Sequence, residues 1–501
     1  YKNDRSPKET LFTFKRCIVH FALDDARIKF CTRLADKNSW FLPFDKGYKD
    51  GAGNPPNPDG IMTDYLWKDI LTKEKLTRII ESYAQVIEEV DNETKRKNLK
   101  QIFPRYHQLD VVEKLIADVE KKGVGERYLI QHSAGSGKSN SIAWLAYRLM
   151  ELEENAHPIF NSILVVTDRR ILDKQIRDNI KQFAQVSSVV AWAEHSSDLK
   201  KSIAEGKRII ITTIEKFPYI VSEFGAEQKN NKFAILIDEA HSGQNGRNSA
   251  QMNIALSGLA SNDEMDNEDK INAMMEGRKL LKNASYFAFT ATPKNKTIEI
   301  FGKILTDENG KPVYNEEGLP KRVPFHVYTM KQAIQEGFIL DVLQNYTTIE
   351  SFYKLKKIVE NDPKFDKKRA QKKLRAFVES NEYTISKKAA MMVEHFHEQV
   401  IAKGKIGGQA RAMVVTASIA RYYYAISKCL SDRHSPYKAI VAFTGEYKYH
   451  GNDDALTSAD INGFSDAKIP AEFKKDPYRI LVVADMFQTG FDEPLLHTMY
   501  V

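Results

Sequence analysis

A glycine-rich segment in the first third of the chain has residue types and spacing suited to binding phosphate: His132-Ser-Ala-Gly-Ser-Gly-Lys-Ser139. It follows the apolar run Tyr128-Leu-Ile130 and precedes a helical pattern over residues 140–152, so a strand, a loop and a helix are predicted. The backbone N–H groups of such a loop, with the helix N-terminus, form an anion site. We therefore expect a nucleoside triphosphate here, contacted by Ala134, Gly135, Ser136, Gly137, Lys138 and Ser139.

Each polar or flexible residue of this loop has an expected task. Gly135 and Gly137 let the backbone approach a phosphate without a side chain in the way. Lys138 would neutralise charge on the β- and γ-phosphates, and the Ser139 hydroxyl would ligate Mg²⁺. The usual motif opens with glycine, and His132 stands there instead. The alternative is a chance glycine-rich turn, but the flanking strand and helix favour a phosphate loop.

Two consecutive carboxylates follow another apolar run, Ala234-Ile-Leu-Ile237, in the tetrapeptide Asp238-Glu-Ala-His241. A buried strand that ends there puts them at the carboxyl edge of a sheet, where the phosphate loop also lies. We expect Asp238 to coordinate Mg²⁺ and Glu239 to polarise the attacking water as general base. His241 would connect nucleotide state to a neighbouring loop. An ordinary solvated strand end is the alternative.

Short, continuous, β-branched apolar runs recur along the chain and are typical of parallel strands covered on both faces. With helical segments between them, they predict an α/β fold of two doubly wound parallel-sheet lobes. We expect an N-terminal α+β linker region over residues 1–99, with apolar-periodic helix near residues 67–88 and a helix end or linker at 88–100. The first lobe would span 100–324 and the second 325–501, with a charged helical insert at about 351–403. The runs are Tyr128-Leu-Ile130, Ile163-Leu-Val-Val166, Ile209-Ile-Ile211, Ala234-Ile-Leu-Ile237, Tyr286-Phe-Ala-Phe289, Met413-Val-Val415, Ala439-Ile-Val-Ala442 and Ile480-Leu-Val-Val483.

Composition excludes some classes of protein. The 501 residues are 42% hydrophobic and 28% charged, which is ordinary for a globular protein. No apolar run approaches the roughly 20 residues needed to cross a bilayer. Three cysteines without paired spacing argue against a disulfide framework and favour a cytoplasmic protein. A net charge of +7 permits nucleic-acid binding without demonstrating it.

With both motifs in place, the chain resembles superfamily 2 helicases and translocases. Further matching motifs occur in the family's order: Tyr106-His-Gln108, Thr167-Asp-Arg-Arg170, Thr212-Thr-Ile-Glu-Lys-Phe217, Thr290-Ala-Thr-Pro293 and Thr489-Gly-Phe-Asp492. The resemblance implies two RecA-like lobes that close over ATP, and an adenine-reading role for Gln108. It implies coupling of closure to a DNA track by Thr290, Thr292, Gly490 and Asp492. The candidates for contacts to DNA phosphates are Arg169, Arg170, Thr212, Thr213 and Lys216.

A closer resemblance is to the motor (restriction) subunit of type I restriction enzymes. It is carried by Cys17-Ile-Val-His-Phe-Ala22, Phe41-Leu-Pro-Phe44, Gly51-Ala-Gly-Asn-Pro55, Tyr65-Leu-Trp67, Lys331-Gln-Ala-Ile-Gln-Glu-Gly-Phe-Ile339, Phe443-Thr-Gly-Glu446 and residues 483–501. The resemblance implies ATP-dependent translocation on double-stranded DNA, with modification (methyltransferase) and specificity subunits as partners. The family's nuclease core and its arginine-bearing motif VI are not found. They are expected upstream of Tyr1 and downstream of Val501.

Three other interpretations stay open at this stage. The chain could be another superfamily 2 DNA or RNA helicase, because the acidic tetrapeptide does not separate these motors. It could be a non-catalytic scaffold that binds nucleotide or DNA, which the departure at His132 favours slightly and the intact Lys138 and Asp238 oppose. A nuclease in its own right would need an acidic metal-binding cluster, and none is found. The basic residues of the insert are expected to form a solvated helical face.

Overall fold

The computed structural model describes residues 6, 8–35, 37–90, 97–167, 180, 190–193, 196–213, 231–238, 283–315, 318–341, 382–416, 419–447, 456–484, 487, 491 and 493–501. The chain divides between Asn345 and Tyr346 into two compact units. The predicted division was at residues 324–325. The later boundary has a physical cause: a strand at His326–Tyr328 pairs with the strand that ends in the phosphate loop, and so belongs to the first sheet.

The first unit combines an N-terminal part with an α/β part. The N-terminal elements are β1 (His20–Leu23), β2 (Ile28–Cys31), β3 (Leu42–Pro43), α1 (Lys73–Ser82), β4 (Gln85–Val90) and β5 (Lys97–Ile102). The elements of the α/β part are α2 (Tyr106–Lys122), β6 (Arg127–His132), α3 (Lys138–Glu151), β7 (Glu153–Glu154), β8 (His157–Pro158), β9 (Ser162–Thr167), β10 (Val190–Trp192), α4 (Ser196–Ala204), β11 (Ile209–Thr213), β12 (Phe233–Asp238), β13 (Ala284–Thr290), α5 (Asn295–Phe301), β14 (Lys303–Ile304), β15 (Arg322–Val323), β16 (His326–Tyr328) and α6 (Met330–Gln335).

Within the described part of the first unit, seven parallel strands form one sheet in the order β10-β11-β9-β12-β13-β6-β16. The predicted apolar runs form five of these strands, β6, β9, β11, β12 and β13, and every residue of β9, β11, β12 and β13 is buried. The strands β10 and β16 were not predicted. Apolar cores cover both faces of the sheet, which is why the runs are continuous rather than alternating. The doubly wound fold predicted for this lobe is confirmed.

The N-terminal part differs from its prediction. β1, β2 and β3 form an antiparallel sheet, and β4 pairs with β5 as an antiparallel hairpin where a helix end or linker was expected. The predicted helix at residues 67–88 is shorter: a π-helical turn at Leu66–Ile70 precedes α1. This part shares its core with the α/β part, because the buried Trp144 of α3 donates its indole N–H to the Tyr83 carbonyl at 3.2 Å.

The second unit repeats the α/β theme on a smaller scale. Its parallel sheet has the strand order Lys438–Ala442, Tyr478–Val483, Arg411–Val415, Leu496–Tyr500. The described final segment of the predicted insert is helical from Glu382 to Ile401, and its apolar side chains pack into the unit's core with the helix Ile419–Asp432. Of the helices that the structure describes, none is both long and apolar enough to cross a membrane. The elements are α7 (Glu382–His395), β17 (Arg411–Val415), α8 (Ile419–Asp432), β18 (Lys438–Ala442), α9 (Ser458–Asn462), α10 (Ile469–Glu472), β19 (Tyr478–Val483) and β20 (Leu496–Tyr500).

Candidate nucleotide site

The glycine-rich segment forms a tight turn between β6 and α3. Gly135 and Gly137 have φ angles of +72° and +74°, a left-handed conformation that glycine adopts at low cost. Gly137 is the N-cap of α3, and its carbonyl accepts the N–H of Asn140 at 3.1 Å. Ala134 and Gly135 are exposed, whereas Ser136 is buried. The predicted strand, loop and helix are confirmed, and the loop presents exposed backbone at the start of a fourteen-residue helix.

Lys138 is the first residue of α3, and its side chain curls back over the loop. Its Nζ donates to the His132 carbonyl oxygen at 3.4 Å, across the mouth of the turn. The next residue, Ser139, lies in the first turn of the same helix and is half-buried. A lysine amine and a serine hydroxyl therefore stand together at the helix N-terminus, where the helix dipole also favours an anion.

Three side chains at the start of α2 hold the loop from behind. Gln108 Nε2 donates to the carbonyl oxygens of Ser136 and Gly137, both at 3.1 Å. Arg105 Nη2 donates to the Gly135 carbonyl at 2.8 Å, and His107 Nε2 lies 2.9 Å from the Ser136 carbonyl. Because a carbonyl only accepts, this ring nitrogen of His107 carries the proton. Arg105 and His107 were not among the predicted site residues, although they adjoin Gln108 in the sequence.

Gln108 has its amide engaged at both ends in this structure. Besides the two loop carbonyls, its Oε1 accepts the Arg105 backbone N–H at 2.9 Å, which satisfies this donor at the start of α2. An added Cβ at Gly137 would displace the Gln108 side-chain amide from the loop. The adenine-reading role of Gln108 stays a prediction; what the contacts establish is a loop-shaping role.

Asp238 ends β12 and is 2% exposed. Strand β13 lies between β12 and β6, and it aligns Asp238 with Phe289 and Phe289 with Ile130. The carboxylate and the loop after His132 therefore leave the sheet at the same edge, with one strand between them. Helix α3 packs against β12, which fixes the side on which Lys138 and Ser139 begin. The sequence prediction that these groups share one edge agrees with this topology.

The remaining predicted residues have mixed placements. Thr290 ends β13 buried at this same edge, and Thr292 follows it exposed. Thr212 and Thr213 end β11 and are both buried, so neither hydroxyl lies on the surface of this structure. Their predicted roles in coupling and DNA contact stay predictions. Outside the described residues lie Glu239, His241, Gly490, Asp492, Arg169, Arg170 and Lys216.

Segments distant in the sequence meet next to the phosphate loop. The Ala52 N–H donates to Gln335 Oε1 at 2.7 Å, which joins the Gly51–Pro55 segment to α6. Just beyond α6, the Phe338 ring lies 4.0 Å under the Arg105 guanidinium, and the Phe338 carbonyl and Ile339 side chain would stand 3.2 Å from a Cβ at Gly135. The segments 51–55 and 331–339, which carry part of the sequence resemblance described above, are thus connected to the phosphate loop by side-chain and backbone contacts.

The donor set fits a magnesium-bound triphosphate. Ser139 and Asp238 offer the hard oxygen ligands that Mg²⁺ prefers, and such sites use one or two carboxylates plus the substrate's phosphates. Among the described residues no group of three or more His, Cys, Asp or Glu side chains is arranged to hold a metal by itself. Ala134 and Gly135 leave one side of the loop exposed. These residues therefore suit a metal that arrives with its nucleotide.

Several known proteins are similar to this chain. A relative from Methanocaldococcus jannaschii, named as an endonuclease subunit of a type I restriction enzyme, is 25% identical over 89% of this chain and 38% of its own length. The HindI endonuclease subunit of a Haemophilus influenzae type I restriction enzyme is 24% identical over 81% of this chain and 37% of its own length. The chain spans about two-fifths of these curated relatives. A solved HsdR fragment from Vibrio vulnificus has 13% identity and a TM-score of 0.42, and it covers 95% of this chain and 78% of that fragment.

The family model of the SWI2/SNF2 ATPases matches residues 107–375, more than half of the chain. The matched segment begins at the loop-holding residues of α2 and includes the phosphate loop and Asp238. On this match, over the residues that build the site, the chain belongs to the SWI2/SNF2 ATPase family.

Proposed function

We propose that this chain is the ATP-driven motor of the restriction subunit of a type I restriction enzyme, which translocates double-stranded DNA. The observation that carries the proposal is the shared sheet edge: Lys138 and Ser139 begin α3 there, and Asp238 ends β12 there. An amine, a hydroxyl and a buried carboxylate at one edge are the groups needed to bind a metal-bound triphosphate.

The roles follow from the chemistry of each group. Lys138 would leave the His132 carbonyl and neutralise charge on the β- and γ-phosphates. Ser139 and Asp238 would hold Mg²⁺, which when bound offsets the negative charge that develops on the phosphates. Glu239, next to Asp238 in the sequence, would take a proton from the attacking water. Thr290, Thr292, Gly490 and Asp492 would couple hydrolysis to movement along the DNA.

The names of the relatives support DNA as the substrate and the other subunits of a restriction enzyme as the partners. Both reported relatives are named as endonuclease subunits of type I restriction enzymes. We infer that the chain acts with modification (methyltransferase) and specificity subunits in the cytoplasm. The DNA would be held by its phosphates rather than read by sequence, and cleavage would belong to the full-length subunit.

The direct test is displacement of a third strand from linear duplex DNA. The restriction subunit that contains this chain, mixed with its partner subunits, should displace a triplex-forming oligonucleotide only when ATP and Mg²⁺ are added. A Lys138→Ala variant should lose displacement and bind ATP at least tenfold more weakly, since a charge-assisted contact contributes roughly 1.5–3 kcal/mol. Lys121→Ala removes an exposed lysine of α2 and should behave as the parent.

Other outcomes would contradict the proposal in identifiable ways. Stimulation of ATP turnover by duplex RNA but not by duplex DNA would indicate a different helicase. ATP binding that needs Lys138 without any turnover or displacement would indicate a nucleotide-binding scaffold. Undiminished ATP binding by a folded Lys138→Ala variant would show that the phosphate loop does not bind ATP.

A further inference from the structure

A chain of three polar side chains lies directly behind the phosphate loop. His132 Nε2 is 2.8 Å from His326 Nδ1, and His326 Nε2 is 3.0 Å from Asp110 Oδ2. These residues come from three elements: His132 ends β6, His326 begins the neighbouring strand β16, and Asp110 lies on α2. The His132 side chain is fully buried. We call these three hydrogen-bonded side chains the His–His–Asp relay.

The carboxylate fixes the position of each proton along the relay. Burial alone would raise the pKa of Asp110, but hydrogen bonds from His326 and Lys114 outweigh it and lower that pKa. Asp110 is therefore ionised and accepts the Nε2–H of His326. When His326 is neutral, its Nδ1 presents a lone pair, and His132 then donates its own Nε2–H to it. The relay thus selects one tautomer of each imidazole.

The end of the relay touches the loop through backbone. The carbonyl of His132 accepts the Lys138 amine, and the His132 ring lies 5.5 Å from the ring of His107, which contacts the Ser136 carbonyl. Within the described structure, His132 Nδ1 is buried and has no hydrogen-bond partner. The ring is therefore hydrogen-bonded at one nitrogen only, by His326, and it also packs against the rings of His107 and Tyr328.

We propose that Asp110 and His326 are positioning residues for the phosphate loop: they orient His132, and its carbonyl in turn holds Lys138 in place for an incoming triphosphate. A glycine at position 132 would offer no side chain to anchor, so the departure from the usual motif adds an attachment rather than weakening the loop. The inference rests on the proposed nucleotide-binding function and names further residues of the same site.

A second aspartate on the same helix, Asp118, provides a matched control for Asp110. Asp118 of α2 also accepts from a lysine four residues on, Lys122, and from a buried aromatic partner, the Tyr128 hydroxyl at 2.9 Å. The Asp110 and Asp118 side chains are 20% and 21% exposed. Asp118, however, contacts no histidine of the relay in the described structure. Asp110→Asn and Asp118→Asn therefore make the same chemical change, with and without the relay.

The first measurement is the affinity of the chain for a fluorescent ATP analogue. Asp110→Asn should weaken binding about tenfold, because an amide can accept or donate and no longer dictates the tautomers. Asp118→Asn should bind as the parent does, and Asp110→Glu, which keeps the carboxylate, should recover part of the loss. His326→Gln should reproduce the effect of Asp110→Asn.

A spectroscopic measurement separates positioning from general destabilisation. Nitrogen-15 NMR of labelled histidine distinguishes protonated from bare ring nitrogens. In the parent chain, His132 and His326 should both carry the proton on Nε2, and Asp110→Asn should shift their signals toward mixed tautomers while Asp118→Asn should not. Unchanged tautomers in Asp110→Asn, or equal affinities for the two Asn variants, would overturn the relay.

Lys138→Ala distinguishes failure of this inference from failure of the proposed function. If that variant binds the analogue as tightly as the parent, the loop is not a nucleotide site and the proposed function fails. If it loses binding while Asp110→Asn and His326→Gln keep full affinity, the site stands and the relay alone is refuted.

Discussion

At the scale of single residues, two buried histidines make the region behind the phosphate loop sensitive to acid. Burial holds the pKa of both His132 and His107 well below the ordinary value of 6.5. For His132, His326 and His107 act in the same direction once they are protonated, and so do the positively charged Lys138 and Arg105. Below 6.5 the unfolded chain therefore binds more protons than the folded chain does, so stability falls as the pH falls.

The expected result is a free energy of unfolding that decreases from pH 7 toward pH 5. Each buried histidine contributes up to about 1.4 kcal/mol per pH unit in the interval between its unfolded and folded pKa values. His107→Gln should remove one such contribution and flatten the profile, measured by urea unfolding at several pH values. His157→Gln, at an exposed position, gives the effect of the same change away from the site. A His107→Gln profile as steep as the parent's would contradict this account.

Sequence reasoning placed some site residues and missed others for a definable reason. Lys138 and Asp238 could be placed at one edge because each follows a recognisable buried strand, and parallel strands end together. His326 and Asp110 carried no such signal. They are 194 and 216 residues from their partners in the relay, and only the pairing of β16 beside β6 brings them together.

At the scale of elements, the start of α3 lies close to the start of α2 where Gly137 meets Gln108. Gly137 has a φ of +74°, and a Cβ there would meet the Gln108 amide. Gly137→Ala should therefore weaken ATP binding more than tenfold, by displacing Gln108 and adding left-handed strain of about 1–2 kcal/mol. Gly206→Ala imposes the same strain at a φ of +70° but meets nothing within 4 Å. The Gly206→Ala variant should have a lower thermal stability, measured by thermal unfolding. Its ATP affinity, measured by titration calorimetry, should be unchanged.

Elements with an unambiguous period were predictable, and those fixed by pairing were not. The central strands of both sheets and helix α3 were confirmed, because burial on both faces leaves continuous apolar runs, whereas the short strands β10 and β16 were not predicted. The sequence predicts a helix end or linker where β4 and β5 form a hairpin, because Glu88 and Lys100 lie in a strongly charged segment. Its strands are defined by hydrogen bonds to each other, such as the register of Ile87 with Lys100, rather than by an apolar period.

At the scale of the whole molecule, the charge excess is small for the nucleic-acid motor that we propose. The chain has 74 basic and 67 acidic residues, so a net charge of +7 is spread over 501 residues. General attraction to DNA is then weak, and the salt dependence of binding should report local contacts instead. The logarithm of the binding constant falls with the logarithm of salt concentration, with a slope of about −0.9 for each phosphate contacted.

Replacing Arg169, Arg170 and Lys216 together by alanine should therefore make that slope shallower by about 2 to 3 units, in addition to weakening binding at low salt. Fluorescence anisotropy of a labelled duplex across a range of salt concentrations would measure both. The matched control replaces three exposed lysines, Lys121, Lys403 and Lys428, and lowers the net charge by the same amount. If the two triple variants change the slope equally, DNA is attracted by overall charge and these three residues are not phosphate contacts; if only the first does, local contacts govern binding.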